Sequence, residues 1–295
     1  MGGLADQLRR RQPPAVRRSL IEVRTGLRRS ICGLRGMPDF LIIGGQRCGT
    51  TSLFNYLLGH PQVLAPLVKE PQFFTYRWPR GSRWYRAQFP MNLRRRSAGS
   101  AAGPALTFDA TPYYLFHPCA AERAASVVPQ ARIIALLRDP VERAYSHYQH
   151  SVRQGLEPMS FQRALELESQ RLAGEEERLR SDSRYPGTNH RLFSYASRGL
   201  YAEQLERWMS RFPQQSMLVL RSEDLFTDPA RQFQRVLGFL GLPDWEPAEF
   251  GVHTKRSPRP AAGMPAQSRR MLDERFAPAN RRLEQLLGRE MAWSA

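Results

Sequence analysis

The stretch Gly44-Gly-Gln-Arg-Cys-Gly49-Thr50-Thr51 spaces its glycines as a phosphate-binding loop does, G-x-x-x-x-G. Glycines let backbone N–H groups approach an anion closely, and a helix starting at the last of them turns its partial positive charge on the same anion. Thr50 stands where a triphosphate-hydrolysing loop has lysine. Phosphate binding is therefore expected and nucleotide hydrolysis is not, because that lysine engages the β- and γ-phosphates. The strong cation inside the loop is Arg47, beside Cys48. A second segment, Leu137-Arg138-Asp-Pro-Val-Glu142-Arg143-Ala-Tyr-Ser146, follows an apolar run and opens a helix. Arg138 and Ser146 supply one cation and one hydroxyl, enough for a smaller anion site. Glu142 and Arg143 read as a pair on the helix surface. Two anion sites on one sheet suit a nucleoside phosphorylated at two ends. A P-loop kinase or other nucleotide-binding protein, and a non-catalytic polyanion binder, are alternatives at this level.

The elements that must position these groups are legible as apolar runs. Asp39–Gly45, Ala105–Asp109, Arg132–Leu137 and Ser216–Leu220 predict buried strands. Thr50–Leu58, an Ala-rich stretch at 118–128, Val141–Gln154 behind an Asp-Pro start, and segments near 200–211 and 228–240 predict helices. Strands alternating with helices imply an α/β domain, a central parallel sheet covered on both faces. Arg94–Pro104 and Ser181–Thr188 read as irregular surface loops, and the run Glu175-Glu176-Glu177 as a solvated face. The expected organisation is a basic extension over residues 1–37 and one domain over 38–295.

The chain has 295 residues and a net charge of +17, from 44 Lys+Arg against 27 Asp+Glu. Only Lys69 and Lys255 are lysines, so 44 − 2 = 42 are arginines. Such a field attracts phosphate, sulfate or carboxylate partners. Hydrophobic residues at 41% and charged residues at 24% exclude global disorder, collagen and a small disulfide scaffold. No zinc-finger spacing, heptad-linked basic helix or RNA-binding signature points to nucleic acid. Cys32, Cys48 and Cys119 are too scattered for a disulfide framework or a four-ligand metal site. The six histidines, His147 and His150 among them, are expected to be packed or solvent-facing rather than catalytic. No run of 18 apolar residues spans a membrane. Met1–Arg35 lacks the apolar core of a secretory signal, so a cytoplasmic setting is expected. Its Leu20, Val23, Leu27 and Ile31 among arginines fit peripheral contact with an anionic membrane, or a loosely docked helix.

With both motifs in view, the sequence resembles the sulfotransferases that use 3′-phosphoadenosine 5′-phosphosulfate (PAPS), especially the Golgi-type carbohydrate enzymes of heparan and chondroitin sulfate. The resemblance runs through His60-Pro-Gln-Val63, Lys69-Glu70-Pro-Gln-Phe-Phe74, Arg83-Trp84-Tyr85, Arg198-Gly-Leu-Tyr201, Leu220-Arg-Ser-Glu-Asp-Leu225 and Phe276–Trp293. It implies a P-loop-like fold and sulfuryl transfer to a hydroxyl or amine of a glycan, glycolipid or other hydroxylated acceptor, leaving adenosine 3′,5′-bisphosphate. A sulfuryl group carries one negative charge fewer than a phosphoryl group, so a side-chain cation replaces Mg²⁺ and no metal is required. The resemblance places Arg47 at the bridging oxygen, where the family has lysine. Cys48, Gly49, Thr50, Thr51 and Ser52 fall at the 5′-phosphate, Arg138 and Ser146 at the 3′-phosphate, and Tyr201, Lys255, Arg256 and Arg259 elsewhere around the donor. Glu70 matches the catalytic base, with Asp109 as its rival. An acid at Asp109 is expected to set the chain apart from heparan-type 3-O transfer.

Overall fold

The structure, a computed structural model, describes residues 14–101, 103–251 and 263–293. Its centre is a parallel sheet of five strands, β1 (Phe40–Gly44), β2 (Val63–Leu64), β3 (Leu106–Ala110), β4 (Arg132–Leu137) and β5 (Met217–Arg221), in the order β2-β3-β1-β4-β5. The helices are α1 (Pro14–Ser30), α2 (Thr50–Gly59), α3 (Ser82–Arg86), α4 (Asn92–Ser97), α5 (Ala120–Val127), α6 (Pro140–Arg153) and α7 (Phe161–Leu172). They continue with α8 (Glu175–Ser181), α9 (Thr188–Leu192), α10 (Tyr201–Met209), α11 (Ser222–Thr227), α12 (Pro229–Leu240) and α13 (Ala266–Leu287). The expected strands and helices fall where the apolar runs put them. Among the described residues no helix is long and apolar enough to cross a membrane.

All five residues of β1 are buried, as continuous apolar runs in parallel sheets should be. Alternate side chains feed two cores. Leu41 and Ile43 join Ile133, Ala135, Tyr85, Tyr114, Leu205 and Trp208 on the face covered by α3, α5, α10 and α13. Phe40 and Ile42 join Phe108, Ile134, Leu53, Leu57, Phe233 and Val236 on the face covered by α2 and α12. A third cluster, with Val141, Ala144, Phe161, Leu165, Leu272 and Phe276, ties α6, α7 and α13 into a helical cap. The chain leaves β1 towards β3 on one side and reaches β4 on the other. The C-terminal ends of β1 and β4 therefore border a point where the strand order reverses, the usual place for a ligand crevice.

Two readings from sequence need correction. Arg94–Pro104 begins inside α4, because Arg95 bonds both oxygens of Asp39 at 2.6 and 2.7 Å and so anchors the turn to the sheet. Glu175 is not solvated: it is buried, accepting from the Tyr185 hydroxyl at 2.5 Å and the His190 N–H at 3.1 Å.

A very close backbone approach joins β1 to β4. Gly44 has φ +141°, and a Cβ there would lie 2.2 Å from the Leu136 carbonyl oxygen. Gly44→Ala is expected to cost about 3 kcal/mol or more, through strain and the displaced strand. Urea unfolding of the variant beside the parent checks this.

Candidate active site

The phosphate loop grows out of that contact. The Gly45 N–H donates to the Leu136 carbonyl at 2.9 Å, turning the chain across the end of β4. Arg47, at φ +75°, and Gly49, at φ +82°, both take left-handed conformations, and Gly49 caps α2. For arginine that conformation is uncommon and marks a site fixed by its surroundings. From α11, the Ser222 hydroxyl fastens the loop by donating to the Cys48 carbonyl at 2.7 Å. Among the described residues, the N–H groups of Gly49, Thr50 and Thr51 have no protein acceptor, which leaves them for an anion. Two of the expected ligands are buried here. The Cys48 side chain is packed in the core, and burial pushes its thiol up to about 11. Ser52 is fully buried and its N–H is spent on the Gly49 carbonyl at 3.0 Å, while its Oγ has no partner among the described residues.

The second motif is held at the end of β4. Asp139 caps α6, its Oδ1 accepting from the N–H groups of Val141 (2.8 Å) and Glu142 (3.1 Å), with Pro140 as the first helical residue. The Asp139 N–H donates to Glu223 at 2.9 Å, and Trp293 donates to the other Glu223 oxygen at 3.3 Å. Tyr201 is buried and its hydroxyl donates to the Arg138 carbonyl at 2.9 Å. That replaces the donor contact expected of Tyr201 with a bracing role. Arg138 Nη1 reaches the Arg47 carbonyl at 3.5 Å, and Arg47 Nε donates to Ser146 Oγ at 3.3 Å. The two sequence motifs therefore meet at the C-terminal ends of β1 and β4.

Below this crevice lies more positive charge than the sequence reading allowed. Arg143 does not pair with Glu142; it is fully buried, its Nη2 donating to the Tyr195 carbonyl, while Nε and Nη1 have no partner among the described residues. Glu142 instead bonds Arg269 at 2.5 Å and faces Arg138 at 3.9 Å. Arg198, also buried, donates to Gln46 in the loop at 3.0 Å, and burial brings its pKa down to about 10. Burial, then the nearby Arg153 and Arg138, lowers Arg47 as well. His147 is buried, and burial followed by Arg198 and Arg143 holds it well below the ordinary histidine value, hence neutral. An anion bound in the loop would relieve this repulsion.

On the other side of the loop stands the candidate base. Glu70 is partly exposed, at φ +55°, with Lys69 Nζ 3.5 Å from its Oε1. Lys69 Nζ also donates to Thr51 Oγ1 at 2.6 Å. Asp109 is a different kind of carboxylate. It has no exposed surface and accepts from Thr111 (2.6 Å), Tyr114 (2.8 Å) and Tyr85 (2.9 Å). Tyr114 in turn accepts from the Phe73 N–H at 2.8 Å. Asp109 is therefore corrected from rival base to positioning residue: it steadies the segment carrying Glu70. Lys255, Arg256 and Arg259 lie outside the described residues.

Lys69, Arg143 and Arg198 are the residues missed as parts of the site. Lys69 had a signal, being one of two lysines in the chain. The two arginines stand inside the quoted motifs, but among 40 others nothing in the sequence marks their charge as belonging under the loop. A cavity of about 680 Å³ lined by Pro38, Gln62, Gln130 and Arg132 lies at the N-terminal ends of the strands and gathers no comparable chemistry.

Residues 37–250 match the family model for the sulfotransferase domain. The chain belongs to the sulfotransferase family. Human heparan sulfate glucosamine 3-O-sulfotransferase 6 is 30% identical over 282 residues, covering 88% of this chain and 75% of that protein. Human bifunctional heparan sulfate N-deacetylase/N-sulfotransferase 3 is 34% identical over 216 residues, 70% of this chain and 22% of that protein. A crystal structure of a sulfotransferase from Alicyclobacillus acidocaldarius superposes with a TM-score of 0.67 at 31% identity, over 88% of this chain and 99% of that one. The kinase and simple polyanion-binder alternatives give way to a sulfotransferase.

Burial raises Asp109 to about 6, against about 3.9 for a free carboxylate. Between those values the folded sulfotransferase binds more protons than the unfolded chain, so this residue's contribution to stability falls as pH rises from about 4 to 6. Asp109→Asn is expected to flatten that stretch of the stability profile. Urea unfolding across the range measures it.

Proposed function

We propose that this sulfotransferase takes PAPS as donor and transfers its sulfuryl group in line to a hydroxyl or amine of a carbohydrate-type acceptor. The observation that carries the reading is the contact of Arg47 with Ser146 and of Arg138 with the Arg47 carbonyl, which makes the two anion sites ends of one crevice. The donor set fits a nucleotide with two anionic ends: free N–H groups at Gly49, Thr50 and Thr51 for the 5′ end, Arg138 and Ser146 for the 3′ end. PAPS supplies the activated sulfuryl group. Relatives that act on heparan sulfate support a carbohydrate acceptor.

The roles divide by position. Glu70 takes the acceptor proton as the acceptor oxygen or nitrogen bonds to sulfur. The bond from sulfur to the 5′-phosphate oxygen breaks, and positive charge must meet that oxygen as it leaves. The sequence placed Arg47 there, but its side chain is engaged with Ser146 on the 3′ side of the loop. Lys69, on Thr51 and beside Glu70, is the cation on the 5′ side, and unlike arginine an ammonium can release a proton. Arg47 then stiffens the loop and draws the donor's phosphates.

Calorimetry should show adenosine 3′,5′-bisphosphate binding without added metal and more tightly than ATP–Mg²⁺; the opposite preference would overturn the donor assignment. Arg138→Ala should weaken bisphosphate binding by about 10- to 100-fold, the scale of a lost charged hydrogen bond. Lys69→Met should lower kcat by about 10²–10³ while bisphosphate affinity changes little, and Glu70→Gln should remove turnover. Normal turnover in either variant rejects its role. A mass-shift screen with labelled PAPS against glycan and glycolipid panels identifies the acceptor.

A further inference from the structure

Helix α1 docks on the domain by its polar side. Thr25 is buried against the domain, Arg28 donates from Nε to the Ala87 carbonyl and from Nη2 to the Phe89 carbonyl, both at 2.6 Å, and Glu22 pairs with Arg80 at 2.8 Å. Its apolar residues are left outside: Leu20, Val23 and Leu27 are 47%, 63% and 71% exposed, and Ile31 and Leu34 just beyond the helix 42% and 57%. At about 100° per residue the first three fall within an arc of roughly 60°, away from Thr25. Leu93, at the start of α4, is 75% exposed. An amphipathic helix normally buries this stripe.

Beside the helix runs a groove of about 320 Å³ whose lining includes Arg24, Arg28, Arg35 and Arg94 and no carboxylate. Arg35 is only 7% exposed; its Nη1 donates to the Phe89 carbonyl at 2.9 Å, and its buried Nε has no partner among the described residues. Desolvation, then repulsion from Arg35 and Arg24, brings Arg28 down to about 10. Four guanidiniums around one groove need an anion, and the stripe alongside needs an apolar medium.

We propose that α1 seats this protein on an anionic phospholipid bilayer, with the stripe from Leu20 to Leu34 in the boundary between headgroups and acyl chains and a lipid phosphate in the arginine groove. One surface then satisfies both demands, as at interfacial helices generally. A second copy of the chain would cover the stripe but bring another +17 charge against the same arginines.

The test is co-sedimentation of the full chain with vesicles of phosphatidylglycerol and phosphatidylcholine, against phosphatidylcholine alone and against inorganic phosphate as competitor. Binding to the anionic vesicles only, weakened by salt, is expected. Val23→Asp with Leu27→Asp should abolish it, and Arg24→Glu with Arg94→Glu should lower it by on the order of tenfold or more. Both double variants alter exposed residues and should keep the parent's melting temperature and bisphosphate affinity. Equal binding to neutral vesicles, or unchanged binding by both variants, overturns the proposal. So does full displacement by inorganic phosphate, which would make the groove a free-anion site. A chain that is dimeric without lipid and becomes monomeric on the aspartate substitutions gives the stripe to a second copy and likewise overturns it.

Discussion

The site depends on how closely β1 can lie against β4. With no side chain at Gly44, the Leu136 carbonyl oxygen can come within 2.2 Å of where a Cβ would be, and the next residue bonds that same oxygen. Leu136 is two residues from Arg138. One backbone contact thus sets the phosphate loop and the second motif at a fixed separation before any side chain is considered. The links from Arg47 to Ser146 and from Arg138 to the Arg47 carbonyl follow from it. Bracing from outside keeps the arrangement: Ser222 holds the loop, Glu223 the turn into α6, and Tyr201 the end of β4.

Charge is the second constraint. Two arginines are buried under the loop with little to neutralise them, and a buried, partly unpaired cation is costly. That cost is tolerable where a phosphorylated ligand completes the site, since attraction to an anion is strongest where water is excluded. The division of labour across the loop follows. In the proposed mechanism the arginines, always charged and forked, lie on the side that has to hold phosphate, and the ammonium on the side where a proton would be exchanged.

Much of this was legible because the signals are local. A strand, a glycine turn and a helix start are written within about fifteen residues at Phe40–Leu53, and Asp139-Pro140 announces its own helix. Long-range partners were not legible. Nothing in the sequence pairs Asp109 with Tyr85 and Tyr114, so an acid at the end of a strand looked like a base when it is a buried anchor. The order Glu142-Arg143 suggested a surface pair, yet successive residues on a helix point in different directions, one out to Arg269 and the other into the core. The place of Lys69 beside the loop was not legible, because Thr51 is close in space but 18 positions away in the chain. The polar docking of α1 was hidden in the same way: its periodicity shows a stripe, not which side meets the domain.

The scarcity of lysine has a practical corollary. With Lys69 and Lys255 the only side-chain amines in the sequence, a succinimidyl ester or an aldehyde resin meets very few targets, and one of them lies between Thr51 and Glu70. Labels and supports for this protein are better attached through other chemistry, and acylation protected by bound nucleotide would report on the side of the loop where Lys69 meets Thr51.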